Sequence, residues 1–170
     1  MAVETFSIRR AEDRDASSIG GVLSAAYGVD LSAYYDQATM RQVFPYVSVA
    51  KPVLLNSGRY FVAEHGDAIV ACGGWSFADP STGAIRSGIG HIRHFATHPD
   101  MGGKGVAGAI LAACCGDAYE QGVREAYCLS TLMAESFYAG QGFENVRFLR
   151  IPIGGVAFNV VEMRRRLTQN

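Results

Sequence analysis

The sequence has little net charge. Its 15 Lys and Arg against 16 Asp and Glu leave a formal charge of −1, so no global field draws the protein toward nucleic acid or an anionic membrane surface. Charged residues make up only 18% and hydrophobic residues 49%, which excludes a disordered chain and calls for a packed core. The four cysteines, Cys72, Cys114, Cys115 and Cys128, form no CxxC pair and have no His or Cys at zinc-finger spacing. A disulfide framework and a metal site are therefore set aside, and the thiols are read as buried and reduced. No apolar run approaches the ~20 residues of a membrane span. Residues Met1 to Arg10 lack the apolar core of a secretory signal. The expectation is a soluble, cytoplasmic protein with one domain over residues 1–170, compatible with a homodimer. The single basic run, Arg164-Arg165-Arg166, reads as a solvated strand end.

What is present has two grammars. The first half opens with a short strand, Thr5 to Arg9, and then a helix with Asp13 as its cap and Ala16, Ile19, Leu23, Ala26 and Tyr27 on one face. Residues 37–57 read as broken helix, interrupted at Pro45 and Pro52. Strands follow at Tyr60 to Glu64 and Ile69 to Phe77, joined by the short turn His65-Gly66-Asp67. Gly73-Gly74 inside the second marks a bulge or a close backbone approach. A third strand covers His91 to Thr97. The second half begins with the turn Gly102-Gly103-Lys104-Gly105, which feeds a helix from Val106 to Gln121 that is small or apolar all round and so reads as buried. A strand, Glu125 to Ser130, a short helix, Ala134 to Gln141, and a final hairpin, Asn145 to Ile151 with Val156 to Met163, complete the chain. The whole reads as an α/β (α+β) sandwich, antiparallel at both ends with one strand–helix–strand crossover between.

The glycine turn carries the strongest chemical signal. Strand, glycine turn and helix start together make an anion site, because the first amides of a helix lack internal partners and sit at the positive end of its dipole. A P-loop is excluded, since Gly105 rather than Ser or Thr follows Lys104. A GxGxxG dinucleotide fingerprint is matched literally by Gly103, Gly105 and Gly108, but the following strand ends at Leu129-Ser130-Thr131 without the acidic residue a ribose needs.

A third reading rests on two motifs at matching separation. Gly102-Gly103-Lys104-Gly105-Val106-Ala107 resembles the coenzyme A loop of the GNAT superfamily of N-acyltransferases, Arg/Gln-x-x-Gly-x-Gly/Ala, with Gly102 departing at the first position. Ala134-Glu135-Ser136-Phe137-Tyr138-Ala139-Gly140-Gln141-Gly142-Phe143 is a full match to the family's second landmark, with Thr131 where an Asn is common. The resemblance implies a mixed, mostly antiparallel central sheet flanked by helices, with a splayed strand pair at the cofactor site. It implies acetyl-CoA as co-substrate, an arm along Phe95, Ala96 and Thr97, and a pyrophosphate on the amides from Gly103 to Ala107. Gly102, Thr131, Ala134 and Phe137 complete the expected cofactor contacts.

By the same resemblance an amine attacks the thioester directly, and Tyr138 is the general acid beside the sulfur. A phenol suits that task because it can donate to a developing thiolate. His91 occupies the place of the family's strand Glu and is the candidate base. His94, three residues on, falls on the other face of the strand by parity. Glu64 is a further candidate base. Cys128 reads as a buried thiol rather than a nucleophile. The acceptor amine is expected over the segment holding Tyr27, Tyr34, Tyr35 and Asp36. The competing class is a catalytically silent acyl-CoA-binding module, which the departures at Gly102 and Thr131 keep open.

Overall fold

Alternation in the sequence becomes a sheet, and helical periodicity becomes two layers over it. The computed structural model describes residues 5–169. The strands are β1 (Ser7–Arg10), β2 (Tyr60–His65), β3 (Ala68–Ser76), β4 (Ile89–Thr97), β5 (Glu125–Thr131), β6 (Glu144–Ile153) and β7 (Val156–Arg166). The helices are α1 (Ala16–Tyr27), α2 (Gln37–Val47), α3 (Pro52–Leu55), α4 (Val106–Glu120) and α5 (Glu135–Gly140). Together the strands form one sheet of order β1-β2-β3-β4-β5-β7-β6. Every neighbouring pair is antiparallel except β4 and β5. This is the mixed, mostly antiparallel α/β architecture expected above. No helix among the described residues is long and apolar enough to cross a membrane.

The two faces have separate cores. On one, α4 brings Ile110, Leu111 and Cys114 against Trp75, Ile92 and Met163. On the other, Ile19 and Leu23 of α1 cover Val62 and Cys72, while Tyr35 and Val43 pack on Phe158 and Val160. Each large apolar side chain buried this way contributes ~1.5–3 kcal/mol. All four cysteines are free and buried.

Local details differ from the pattern reading. Asp13 lies inside a 3-10 turn, Asp13–Asp15. The side chain that closes this turn belongs to Asp15: its Oδ2 accepts the Glu12 N–H at 2.8 Å, and Arg9 reaches both of its oxygens at 2.7 and 2.9 Å. Pro45 sits inside α2 without ending it, whereas Pro52 occupies the first turn of α3, where its missing N–H costs nothing.

Helix α4 is not apolar all round: Ala112 and Glu120 face solvent, and Asp117 is 8% exposed. Asp117 accepts hydrogen bonds from Arg10 Nη2 and Trp75 Nε1, both at 2.7 Å, and from Gln121 Nε2 at 3.2 Å. Burial alone would raise its pKa, but these three donors outweigh burial and hold it below the usual carboxylate value. One carboxylate thus ties α4 to β1 and β3, and fixes the helix whose first turn opens the site.

Candidate functional site

The site begins with an irregularity. Gly74 opposes Arg93 and Cys72 opposes Ala96, so one glycine, Gly73, faces two residues of β4. The extra residue is accommodated at His94, whose φ of +59° lies in the left-handed region. A Cβ at Gly73 would stand 2.5 Å from the Phe95 ring, so only glycine lets that ring lie flat on β3. The irregularity expected at Gly73-Gly74 is therefore a bulge carried by the partner strand β4, and the close approach at Gly73 is that of the Phe95 ring.

The bulge also overturns the parity argument for the two histidines. Ile92 and Phe95 share the α4 face, while His94 points to the α1–α2 face. His91 and His94 thus stand on the same side of the sheet. His91 is 6% exposed and sits in an adjoining small recess with Asp79, Tyr127 and Glu162. Burial lowers its pKa. It is not among the residues that line the main cleft.

That cleft arises where β4 and β5 part. Their pairing covers only Ile89–Ile92 against Glu125–Cys128. Beyond it opens a cavity of about 440 Å³. Phe95, Ala96 and Thr97 line one side and Ser130 and Thr131 the other. Ala134, Phe137 and Tyr138 form the end wall, and Ala107 of α4 closes the group. The His98 N–H donates to Val70 O at 2.8 Å, toward β3. Strand alternation then turns the Ala96 N–H the same way and the Phe95 and Thr97 N–H groups into the gap. Those two amides are what an extended chain lying in the cleft would meet.

At one end of the cleft stands the glycine turn. Gly103 and Gly105 have φ of +73° and +79°, a conformation that favours glycine, whereas Gly102 is extended with φ −61°. Gly105 caps α4 without a side chain and the first turn holds no acid, so its leading amides face outward with their positive dipole intact. Residues 102–105 are exposed; Val106 turns its side chain into the core. The flanking residues Pro99 and Ala107 both line the cleft.

Tyr138 is 6% exposed and is wedged edge-on between Phe95, Phe137 and Phe143 at 6.3, 5.1 and 5.4 Å. Its hydroxyl has no hydrogen-bond partner among the described residues. Burial pushes the phenol well above its ordinary pKa, so it is a neutral donor at the cleft wall. Cys128 lines the same cleft, and burial raises its thiol far from the range in which it would be a thiolate.

Ser130, Val29 and His94 are among the cleft residues that sequence reasoning missed. Ser130 is 1% exposed and spends its hydroxyl on Thr131 O at 2.8 Å. Val29 and His94 enter from the opposite face. His94 Nε2 lies 3.3 Å from Val47 O, which requires that nitrogen to carry the proton, and its buried Nδ1 has no partner. Burial, reinforced by Lys51, lowers its pKa to about 4. The folded protein thus holds His94 neutral while an unfolded chain protonates it below about 6.5. Stability is therefore complete above that pH and is lost as the pH falls toward 4. Urea unfolding at pH 7 and pH 4.5 should show wild type losing about 2–3 kcal/mol more than His94→Asn, at 1.36 kcal/mol per unit. Asn tolerates the left-handed backbone. Equal acid losses in the two proteins would remove His94 from this account.

Facing α1 and α2 lies a second hollow of about 590 Å³, which shares Tyr27 and Val29 with the cleft. Tyr27 and Tyr35 line it as expected, but Tyr34 and Asp36 do not. Tyr34 is exposed, and Asp36 caps α2 through the Thr39 N–H at 2.8 Å. Tyr35 is a clamp: its hydroxyl donates to Asn159 O and accepts the Leu132 N–H, both at 2.8 Å, and its ring stacks on Phe158 at 4.4 Å. It holds the segment between α1 and α2 to β7 and to the end of β5.

Known proteins share this fold. The family model for the acetyltransferase (GNAT) domain matches residues 56–145, which include β4, the glycine turn, β5 and α5. No curated protein sequence matches the chain. Among solved structures, a GCN5-related N-acetyltransferase from Rhodopseudomonas palustris superposes with a TM-score of 0.80 at 17% identity, over 98% of this chain and 99% of that one. PaiA N-acetyltransferase from Thermoplasma acidophilum, solved in complex with coenzyme A, gives 0.72 at 13% identity, over 95% and 99%. The ribosomal-protein-S18-alanine N-acetyltransferase from Escherichia coli gives 0.64 at 15% identity, over 98% and 96%. At these identities the likeness is one of fold.

Proposed function

The chain belongs to the GNAT acetyltransferase family, and from that premise we propose that it transfers the acetyl group of acetyl-CoA to a primary amine by direct attack, with both substrates bound together. Residues 1–170 act as one acetyltransferase domain. The observation that carries this reading is the cleft between β4 and β5, lined from both faces of the sheet and, at Pro99 and Ala107, flanking an uncapped glycine-rich helix start.

The residues present fit the co-substrate. Phe95 and Thr97 N–H groups hold an extended amide-bearing arm in strand fashion, and Ala96 lies between them. The amides of residues 103–107 hold the pyrophosphate, with Lys104 beside them. Thr131, Ala134 and Phe137 wall the arm from the β5 side. When bound, acetyl-CoA supplies an activated thioester.

Ala26, Tyr27, Val29 and His94 form the other side of the gap, and the amine enters there. The amine nitrogen gains the acetyl carbon and gives up one proton; the sulfur leaves with the bonding pair and takes up one proton, so the sum is neutral. The Tyr138 hydroxyl donates a hydrogen bond to the sulfur as its charge grows. The raised pKa keeps that proton on the phenol, so Tyr138 stabilises the leaving group without surrendering it, and the sulfur takes its proton from water. His91 lies off the cleft and no step is assigned to it. Cys128, buried as a thiol, leaves no ready route through an acyl-enzyme.

The test is binding and turnover together. Titration calorimetry should show acetyl-CoA binding, and thiol release should rise when an amine acceptor is added. Gly105→Asp should weaken acetyl-CoA about 10-fold or more, because its carboxylate would occupy the helix amides and repel the phosphates. A folded Gly105→Asp protein with unchanged affinity would place the phosphates elsewhere.

A further inference from the structure

The hollow facing α1 and α2 is apolar in its body and sparsely charged at its rim. Tyr27, Leu31, Tyr35, Met40 and Phe44 supply its walls. Of its lining side chains only Asp30 and Arg41 are charged. Asp30 is engaged locally, accepting the Ser32 N–H at 2.9 Å. Arg41 is exposed and meets no carboxylate among the described residues. A volume of about 590 Å³ is that of a small-molecule site.

We infer that the acceptor is an aromatic or branched apolar amino acid, acetylated on its α-amine. The inference rests on the acetyltransferase reading above and adds the substrate class to it. Each part of such a molecule has a counterpart in the hollow. Its side chain covers the apolar walls, where an unpaired polar group would be penalised. Its carboxylate meets Arg41, whose planar fork suits bidentate recognition. Its amine reaches the thioester past Tyr27 and Val29, the residues that the hollow and the cleft have in common. A polyamine finds the opposite setting: one carboxylate, already engaged, and an uncompensated guanidinium that repels it.

Thiol release from acetyl-CoA, measured with L-phenylalanine, phenethylamine and spermidine, tests the assignment in wild type and in Arg41→Gln. In wild type, kcat/KM for phenylalanine should exceed that for phenethylamine by about 10- to 100-fold, the range of one charge-assisted contact. Arg41→Gln should abolish most of that preference, costing phenylalanine about 10- to 100-fold more than phenethylamine, with acetyl-CoA affinity retained. A wild-type preference for spermidine or phenethylamine, or equal losses for the two aromatic amines in Arg41→Gln, would overturn the assignment. So would an absence of turnover with all three amines in protein that binds acetyl-CoA; the acetyltransferase reading would then stand without it. Failure to bind acetyl-CoA at all would remove both.

Discussion

Tyr138→Phe should lower kcat about 100-fold while changing acetyl-CoA affinity less than threefold. The substitution removes one oxygen from a ring held edge-on by Phe95, Phe137 and Phe143, so packing survives. In the role proposed above, the lost hydrogen bond is made to a sulfur that carries little charge in the bound thioester and much in the transition state. An interaction of that kind appears in the rate and not in binding. Removing one such donor costs ~10²–10³-fold, and a thiol is a good enough leaving group to keep the loss at the lower end. Steady-state thiol release beside direct titration separates the two quantities. Wild-type turnover would return Tyr138 to a packing role, and a loss confined to affinity would make it a binding residue.

Asp117→Ala should cost about 3 kcal/mol of stability. It leaves the buried Trp75 N–H without an acceptor and frees Arg10 from the only carboxylate it contacts among the described residues. A buried donor left unmade costs ~1–3 kcal/mol, and the loss of a charged acceptor adds to it. Arg10 is half exposed, 53%, so water recovers part of its share and the loss falls short of a fully buried ion pair's. Denaturant unfolding measures it. A cost below about 1 kcal/mol would show that α4 is held by its apolar face alone. Because the carboxylate lies on the helix that presents the glycine turn, weakened acetyl-CoA binding should accompany the lost stability.

Much of this was readable before the fold was known, and what escaped has a common cause. The glycine turn and the Ala134–Phe143 motif with its Phe137-Tyr138 pair are local: each depends on residues within one turn or strand of one another. The hairpins declared themselves through alternation and, for the first, through the turn at Gly66. Two sequence signals were read only halfway. Gly73-Gly74 announced a bulge, but the extra residue sits on the partner strand, at His94, and a pattern taken along one strand cannot see the strand opposite. Parity then placed His94 on the wrong face. Asp117 was passed over inside an apolar helix because its partners, Arg10 and Trp75, are far away in sequence. His91 matched a position and not a place: the register of β4 with β5 turns it toward Asp79 and Glu162, away from the open gap.

The short parallel junction has a consequence for the order of events along the folding path. Strands β2, β3 and β4 close on one another through antiparallel neighbours, as do β5, β6 and β7. Within the sheet, the two strand groups pair only through Ile89–Ile92 and Glu125–Cys128, after the whole crossover containing α4 has been laid down. Contacts that must wait for a long connection to order are expensive in chain entropy and form late. Interactions absent from the folding transition state act on the reverse rate. A co-substrate bound as proposed, along both strands, would therefore be a late staple: it should slow the escape from the native state far more than it hastens arrival there.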